Sequence, residues 1–163
     1  MIIRSRRTLP CEIDVAWDAL HNPDVFRYAS WPLTVFTAGK AGLPRRFEPG
    51  QEYEVAVWAG GIVPMGRQLI RLVDDVASDN EKTLTDLGHG IDGMLALLRD
   101  WKHEMALRAR TDGRSDFRDT LSFQAGVMTP LLWPAMKLLW WWRGYRLSRK
   151  LGQLAKRPYR GEG

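Results

Sequence analysis

His103 is the residue of this sequence best suited to chemistry near neutral pH. It lies in a stretch where polar and apolar residues alternate, between Trp101 and Met105 on the apolar side. An imidazole in such a position can form a hydrogen bond or exchange a proton, because it titrates close to physiological pH. Three roles are open for His103: a structural hydrogen bond in the core, contact with a bound ligand, and acid–base catalysis.

Two further charged residues fall among apolar ones. Asp119 lies on the apolar side of the next alternating stretch, and Arg143 lies within the apolar stripe of the last helical pattern. A buried carboxylate requires a cation, which Arg7 or Arg143 can supply. Two interpretations of Arg143 remain open: it pairs with Asp119 as part of the structure, or it anchors an anionic group of a ligand.

Other kinds of site have no supporting motif. The histidines are His21, His89 and His103, and none has a second histidine or a cysteine at the spacing of metal ligands. A zinc site is therefore not expected. The glycine-rich patterns of nucleotide-binding proteins and the Gly-x-Ser-x-Gly pattern of serine hydrolases are absent from the sequence. We expect no metal and no cofactor.

The composition is that of a basic globular protein. The chain has 163 residues, 45% of them hydrophobic, and a formal net charge of +5. This predicts one domain over 1–157 and a tail over 158–163. The single cysteine, Cys11, excludes an internal disulfide, and the first residues lack the apolar run of a secretion signal. We therefore expect a cytoplasmic location.

Residue periodicity predicts the elements that position the candidate residues. The predicted strands are 2–9, 33–37, 52–58, 67–76, 82–87, 98–110 and 116–125. The predicted helices are 14–21, 23–28 and 129–156. An antiparallel sheet with one apolar face needs a cover, and the last helix is the only predicted element large enough to provide it.

The turn between the last two predicted strands decides which residues face each other. A two-residue loop sets the polar face of one strand against the apolar face of the other, so we predict a three-residue loop, 112–114. This register pairs His103 with Phe123 and Leu107 with Asp119. His103 and Asp119 are then roughly 13 Å apart at about 3.3 Å per residue, which predicts no direct contact between them.

The last helix carries two apolar stripes. A broad stripe is predicted to face the sheet and consists of Leu132, Trp133, Met136, Leu139, Trp140, Leu147, Leu151 and Leu154. Nearly opposite lies the outer stripe, which consists of Leu138, Trp141, Trp142 and Tyr145. The outer stripe suits a homodimer contact, a membrane surface, or packing against the short helices or the 40–50 loop. No nucleic-acid recognition motif accompanies it, and we expect no nucleic-acid partner.

Several stretches together resemble the START-like superfamily, also called SRPBCC or polyketide cyclase/dehydrase-like. They are DVAWDALHNPDVFRYAS, FEPGQEYEV, DWKHEMALRARTDGRSDFRDTLSFQAG, and the closing helix with Trp142-Arg143 and Arg146-Leu147. The resemblance covers nearly the whole chain. It implies an α+β helix-grip fold, in which a curved antiparallel sheet of about seven strands and two short helices enclose a cavity beneath the last helix.

The resemblance and the apolar strand faces together predict a ligand site in that cavity. The predicted ligand-binding residues are Tyr53, Trp58, Trp101, His103, Met105, Asp119, Phe123, Met136, Trp140 and Arg143. Large aromatic walls suit hydrophobic ligands. Trp58 alternates out of phase with Tyr53 and Val55, so its place in the wall requires a β-bulge.

The predicted function is the binding or transport of a small hydrophobic molecule, either lipid-like or aromatic. One alternative is an enzyme of cyclase or dehydratase type that uses His103 as acid and base. The other alternative is a membrane-peripheral or partner-binding protein that uses Trp141 and Trp142. The superfamily includes carriers, enzymes and receptors, so the resemblance alone does not choose among these functions.

Overall fold

The computed structural model describes residues 1–39 and 42–156 and has an α+β fold. The predicted tail, 158–163, lies outside the described residues. The strands are β1 (Ile2–Leu9), β2 (Thr34–Ala38), β3 (Glu52–Ala59), β4 (Val63–Ser78), β5 (Glu81–Asp86), β6 (His89–Gly90), β7 (Arg99–Ala109) and β8 (Ser115–Gln124). The α-helices are α1 (Ile13–Leu20), α2 (Pro23–Ser30) and α3 (Thr129–Ala155), and 3₁₀ turns cover Gly93–Leu97 and Gly126–Met128.

The strands form one curved antiparallel sheet in the order β1-β8-β7-β5-β4-β3-β2, with β6 paired to β4. The first half of the long strand β4 pairs with β3 and its second half pairs with β5. All seven predicted strands are present; β1 has the predicted bounds, and the other six have shifted ends. The eighth strand, β6, has two residues, which is too short to produce an alternating pattern.

The β7–β8 register differs from the predicted one by two residues. His103 pairs with Leu121, and Leu107 pairs with Phe117. The loop has three residues as predicted, but it covers 111–113, because the Arg110 amide donates to the Arg114 carbonyl at 2.9 Å. A shift of two residues preserves which face each side chain points to, so the predicted inward faces of both strands are confirmed.

Turn chemistry explains the position of this loop. The Asp112 side chain accepts a hydrogen bond from the Arg114 amide, and Gly113 has a φ of 72°. An aspartate that bonds to the backbone two residues later favours a turn, and glycine adopts positive φ without steric cost. The turn therefore closes one residue earlier than predicted.

The short helix α2 begins where the sequence predicts. Asn22 caps it by accepting hydrogen bonds from the amides of Asp24 and Val25, and Pro23 occupies the first turn. Proline suits this position because the first amides of a helix have no intrahelical partner. The helix continues two residues beyond the predicted end and brings Ala29 and Ser30 into the core.

The long helix α3 covers the sheet with its broad stripe, as predicted. Trp140, Leu147 and Leu151 are buried on this side, together with Gly144. A side chain at Gly144 would overlap Arg7, which lies beneath the helix and donates to the Trp141 carbonyl. No helix in the described part of the chain combines the length and the hydropathy needed to cross a membrane.

Candidate functional site

The predicted cavity lies between the sheet and α3 and has a volume of about 360 Å³. Its wall is mostly apolar, with residues from α2, from the concave face of the sheet and from α3. The principal apolar residues are Val25, Phe26, Ala29, Val57, Ile70, Leu72, Met105, Phe117, Leu132, Met136, Leu139 and Leu147. A volume of this size lies at the lower end of the range for small-molecule sites.

The cavity opens to the surface beside the first half of α3. Among its described lining residues, Leu33, Ala135 and Leu138 are exposed, and Leu138 is 57% exposed. Leu33 lies between α2 and β2, whereas the other two belong to α3. The mouth is therefore a gap between α3 and the α2–β2 connection, and its edges are apolar.

His103 and Asp119 are in direct contact in the wall of the cavity. His103 Nε2 lies 2.7 Å from Asp119 Oδ1, and both side chains are buried. Trp140 Nε1 donates to the same oxygen at 3.0 Å. The prediction that His103 and Asp119 are too far apart is wrong, because the observed register makes them diagonal neighbours on adjacent strands, within reach of a histidine side chain.

The surroundings of Asp119 favour its ionised form. Burial by itself raises the pKa of a carboxyl group. The His103 imidazole, the Arg143 charge and the Trp140 N–H together outweigh burial and lower the pKa of Asp119 below its ordinary value. An ionised carboxylate only accepts hydrogen bonds, so His103 carries a hydrogen on Nε2. Asp119 thereby holds the imidazole ring in a defined orientation at the cavity wall.

Asp86 also lines the cavity and is not among the site residues predicted from the sequence. It pairs with His103 across strands β5 and β7. Its Oδ1 accepts hydrogen bonds from the amides of Gly88, at 2.9 Å, and Arg71, at 3.1 Å. Burial raises the pKa of Asp86 despite these donors. His103 is thus flanked by two carboxyl groups whose pKa values are shifted in opposite directions.

A local signal at Asp86 is visible in the sequence once the site is known. Asp86-Leu87-Gly88 has the spacing at which an aspartate accepts a hydrogen bond from the amide two residues later, which is typical of turns. Gly88 is required there, because a Cβ atom would overlap the Leu69 carbonyl. The pattern predicts a turn, but it carries no information that the turn borders a cavity.

Arg143 lines the cavity without a direct polar partner among the described residues. Its guanidinium lies 4.9 Å from the ring centroid of Trp140 and 5.6 Å from that of Phe26. It forms no hydrogen bond or ion pair with any residue that the structure describes. Burial lowers the pKa of Arg143, and the nearby carboxyl groups of Asp119 and Asp86 oppose that shift.

The proposed structural pair of Arg143 with Asp119 is therefore not formed. Asp119 is bonded by His103 and Trp140, and no oxygen of it lies within 4.0 Å of the Arg143 guanidinium. Arg7, the other candidate cation for Asp119, instead donates to the Trp141 carbonyl of α3. The physical reason is that the aromatic rings of Trp140 and Phe26 hold Arg143 along the cavity wall.

Seven of the ten predicted ligand-binding residues line this cavity. They are Trp101, His103, Met105, Asp119, Met136, Trp140 and Arg143. The buried Nε1 of Trp101 has no hydrogen-bond partner in the part of the chain that the structure describes, although its N–H lies close enough to influence the pKa of Asp86. The structure thus brings most of the predicted set together around His103.

The other three predicted residues do not line the cavity. Tyr53 packs on Phe47 and its hydroxyl accepts the Glu48 amide. Phe123 is buried in a separate small core cluster with Trp140.

Trp58 lies on the opposite face of β3. The expected bulge exists, but the extra residue is Met65 on β4, since Val57 pairs with Gly66 and Trp58 pairs with Pro64. The alternation of β3 is therefore undisturbed, and Trp58 stays outside the cavity, where its Nε1 donates to Thr37.

The outer stripe of α3 is divided between packing and exposure. Trp142 Nε1 donates to the Trp31 carbonyl at 2.9 Å, which packs this part of the stripe against the end of α2. Leu138, Trp141 and Tyr145 remain exposed, and the rings of Trp141 and Tyr145 are stacked with centroids 6.2 Å apart. The exposed part continues directly from the cavity mouth at Leu138.

Comparison with family models and with curated protein sequences finds no match to this chain. Solved structures of similar fold do exist. A structural-genomics protein from Chromobacterium violaceum is 14% identical, with a TM-score of 0.63 over 93% of this chain and 96% of that one. A conserved protein from Geobacillus kaustophilus is 14% identical, with a TM-score of 0.64 over 94% and 96%. A hypothetical protein from Helicobacter pylori is 11% identical, with a TM-score of 0.64 over 92% and 87%. Identities this low establish the fold alone, which is compatible with a helix-grip arrangement.

Proposed function

We propose that this protein binds a small hydrophobic molecule in the cavity beneath α3 and belongs to the START-like superfamily. The observation that carries the proposal is an apolar cavity of about 360 Å³ that opens to the surface and is lined by three polar residues, His103, Asp119 and Arg143. Apolar walls supply binding energy, and a few convergent polar groups set the orientation of the ligand. The sequence stretches described above and the helix-grip arrangement support the superfamily membership.

A series of n-alkanols of increasing chain length tests the proposal by titration calorimetry. Each methylene buried contributes about 0.8 kcal/mol, so affinity is expected to rise about fourfold per carbon until the cavity is full and then to level off. A Met136→Trp variant places a larger side chain in the cavity wall and is expected to lower affinity at least about tenfold.

Leu131→Trp provides the matched control, because Leu131 is exposed on the same helix and does not line the cavity. It is expected to leave alkanol affinity unchanged. Failure of every alkanol to bind, or equal effects of the two tryptophan substitutions, contradicts the proposed function.

Acid–base catalysis on the bound molecule is the second candidate function, of cyclase or dehydratase type. It is favoured by the position of His103 between Asp119 and Asp86, whose pKa values are shifted in opposite directions. Such a pair suits one proton acceptor and one proton donor. Mass spectrometry with chromatographic separation of the retained molecules distinguishes the two functions. A carrier retains the same molecule in wild type and in a His103→Gln variant, whereas a dehydratase retains molecules that differ by one water and a cyclase retains isomers that differ in retention time.

We further propose that the exposed part of the outer stripe contacts an anionic membrane surface. Leu138, Trp141 and Tyr145 are exposed next to the cavity mouth. The helix α3 contains no acidic residue, and its basic residues are Lys137, Arg143, Arg146, Arg149 and Lys150. Exposed aromatic residues on a basic helix suit the interface of an anionic bilayer. A lipid-like ligand then enters the cavity directly from the bilayer.

Flotation with phosphatidylglycerol vesicles tests this contact. The double variant Trp141→Ala/Tyr145→Ala is expected to lower the bound fraction at least about tenfold, because it removes two aromatic side chains from the interface. Trp142 is retained, since it holds the end of α2. Val73→Ala/Val76→Ala removes exposed apolar side chains of β4 and serves as the control. Equal flotation of both variants, or equal binding to phosphatidylcholine, contradicts the proposal.

A further inference from the structure

We infer that the cavity selects hydrophobic ligands that end in a carboxylate, and that Arg143 binds this group. The inference rests on the proposed function, because it concerns a polar residue in the wall of the same cavity. Arg143 is the only lysine or arginine among the described residues that line the cavity. Its guanidinium has five N–H donors, and none of them has a hydrogen-bond acceptor in the described part of the chain.

A guanidinium without acceptors in an apolar cavity is unfavourable, because donors removed from bulk water need replacement partners. The nearest carboxylate does not supply them. Asp119 Oδ1 already accepts from His103 and Trp140. Asp86 Oδ1 is likewise occupied by the amides of Gly88 and Arg71. No oxygen of either carboxyl group lies within 4.0 Å of an Arg143 nitrogen, so a ligand oxygen has an available partner in Arg143.

The aromatic neighbours of Arg143 restrict the position of its guanidinium at the cavity wall. Trp140 from α3 and Phe26 from α2 both place a ring within 6 Å of the guanidinium carbon. Contacts of this kind restrict the position of a guanidinium while leaving its N–H groups available for hydrogen bonds. A planar carboxylate matches two parallel N–H groups of such a cation.

The hydrogen-bond donors of the site favour a carboxylate over a neutral or a dianionic group. Asp119 accepts from His103 and Trp140 rather than from Arg143, and burial makes Asp86 retain its proton more strongly. A single permanent cation offers one bidentate site, whereas a phosphate dianion needs further cations. A primary ammonium group is repelled by Arg143. A carboxylate near Arg143 and His103 is thus the group that satisfies the free donors.

Calorimetry with an n-alkanoate, the n-alkanol of equal length and the corresponding n-alkylamine tests this inference at pH 7.5. The wild-type protein is expected to bind the alkanoate about 10- to 100-fold more tightly than the alkanol, and the amine most weakly. Arg143→Met is expected to abolish the preference for the acid, so that the ratio of alkanoate to alkanol affinity falls to about one or below. Arg149→Met, an exposed arginine of the same helix, is expected to preserve the preference.

The outcomes distinguish this inference from the proposed function. Equal affinity of wild type for the alkanoate and the alkanol overturns the carboxylate selection and leaves the binding of hydrophobic molecules intact. Failure of all three compounds to bind overturns both. The ratio of alkanoate to alkanol affinity is measured on the wild-type protein. It therefore tests carboxylate selection even if Arg143→Met does not fold. Arg143→Lys, which keeps the charge but not the planar fork, is expected to retain only part of the preference.

Discussion

Replacement of Asp119 by alanine is expected to lower the free energy of unfolding by about 3 kcal/mol. The carboxylate accepts hydrogen bonds from His103 Nε2 and Trp140 Nε1, and all three side chains are buried. Each buried donor left without an acceptor costs about 1–3 kcal/mol. Domains of this size have total stabilities of about 5–15 kcal/mol, so the loss is a large fraction. Chemical denaturation at pH 7 measures it.

Asp116→Ala is the matched control on the same strand. Asp116 accepts hydrogen bonds from Thr8 and Arg110 at the surface, and its side chain is 49% exposed. Surface pairs of this kind contribute about 0–1 kcal/mol. Equal losses of stability for Asp116→Ala and Asp119→Ala contradict the role assigned to the buried hydrogen bonds.

Titration of Asp119 is expected to make the free energy of unfolding depend on pH. The pKa of Asp119 is lower in the folded protein than its ordinary value, so the folded state binds this proton less strongly than the unfolded state. The stability contributed by Asp119 is therefore present above the unfolded pKa, near 4, and is lost as the pH falls through the folded pKa. Asp119→Asn is expected to lack the decrease in the free energy of unfolding that protonation of Asp119 causes at acidic pH.

Asp86→Ala is expected to lower the free energy of unfolding by about 2–4 kcal/mol, whereas Asp86→Asn is at least as stable as wild type at pH 7. Alanine leaves the buried amide of Gly88 and the partly buried amide of Arg71 without an acceptor. Asparagine keeps the acceptor oxygen and has no charge to bury. The contrast between the two variants, measured by denaturation at pH 7, separates hydrogen bonding from charge at this position.

The sign of the pH effect at Asp86 is opposite to that at Asp119. Burial raises the pKa of Asp86 in the folded state, so the folded state binds the proton more strongly. Asp86 therefore contributes stability when the pH is below its pKa in the unfolded state. This contribution is lost as the pH rises through its pKa in the folded state. The advantage of Asp86→Asn over wild type is therefore expected to grow from pH 4 to pH 8. If the difference in free energy of unfolding between Asp86→Asn and wild type does not change with pH, Asp86 is not a buried carboxyl group that titrates in this range.

Local periodicity was sufficient to predict the elements and the faces of the site. Alternation in β7 placed His103 and Met105 on the inner face, and the 3.6-residue period of α3 placed Trp140 and Leu147 against the sheet. These patterns are readable because each depends only on residues close in the chain. The α+β class and the position of the cavity then follow, since one long helix must cover one apolar sheet face.

The details of the site depended on contacts between distant segments. A β7–β8 register shifted by two residues keeps the same inward faces, so alternation alone does not distinguish the predicted register from the observed one. That shift decides whether His103 reaches Asp119. Asp86 enters the site only because β5 pairs with β7, and Trp58 is excluded because the bulge lies in the partner strand β4.

The position of Arg143 depends on local periodicity, whereas its contacts depend on segments that are distant in the sequence. Helical periodicity is enough to predict that this arginine lies within the apolar stripe of α3. Its partners depend on the fold, because α2 brings Phe26 against the helix, while Asp119 is bonded by His103 and Trp140. Side-chain direction and hydrogen-bond competition depend on residues far apart in sequence. The free guanidinium, on which the ligand class depends, is for this reason a property of the fold.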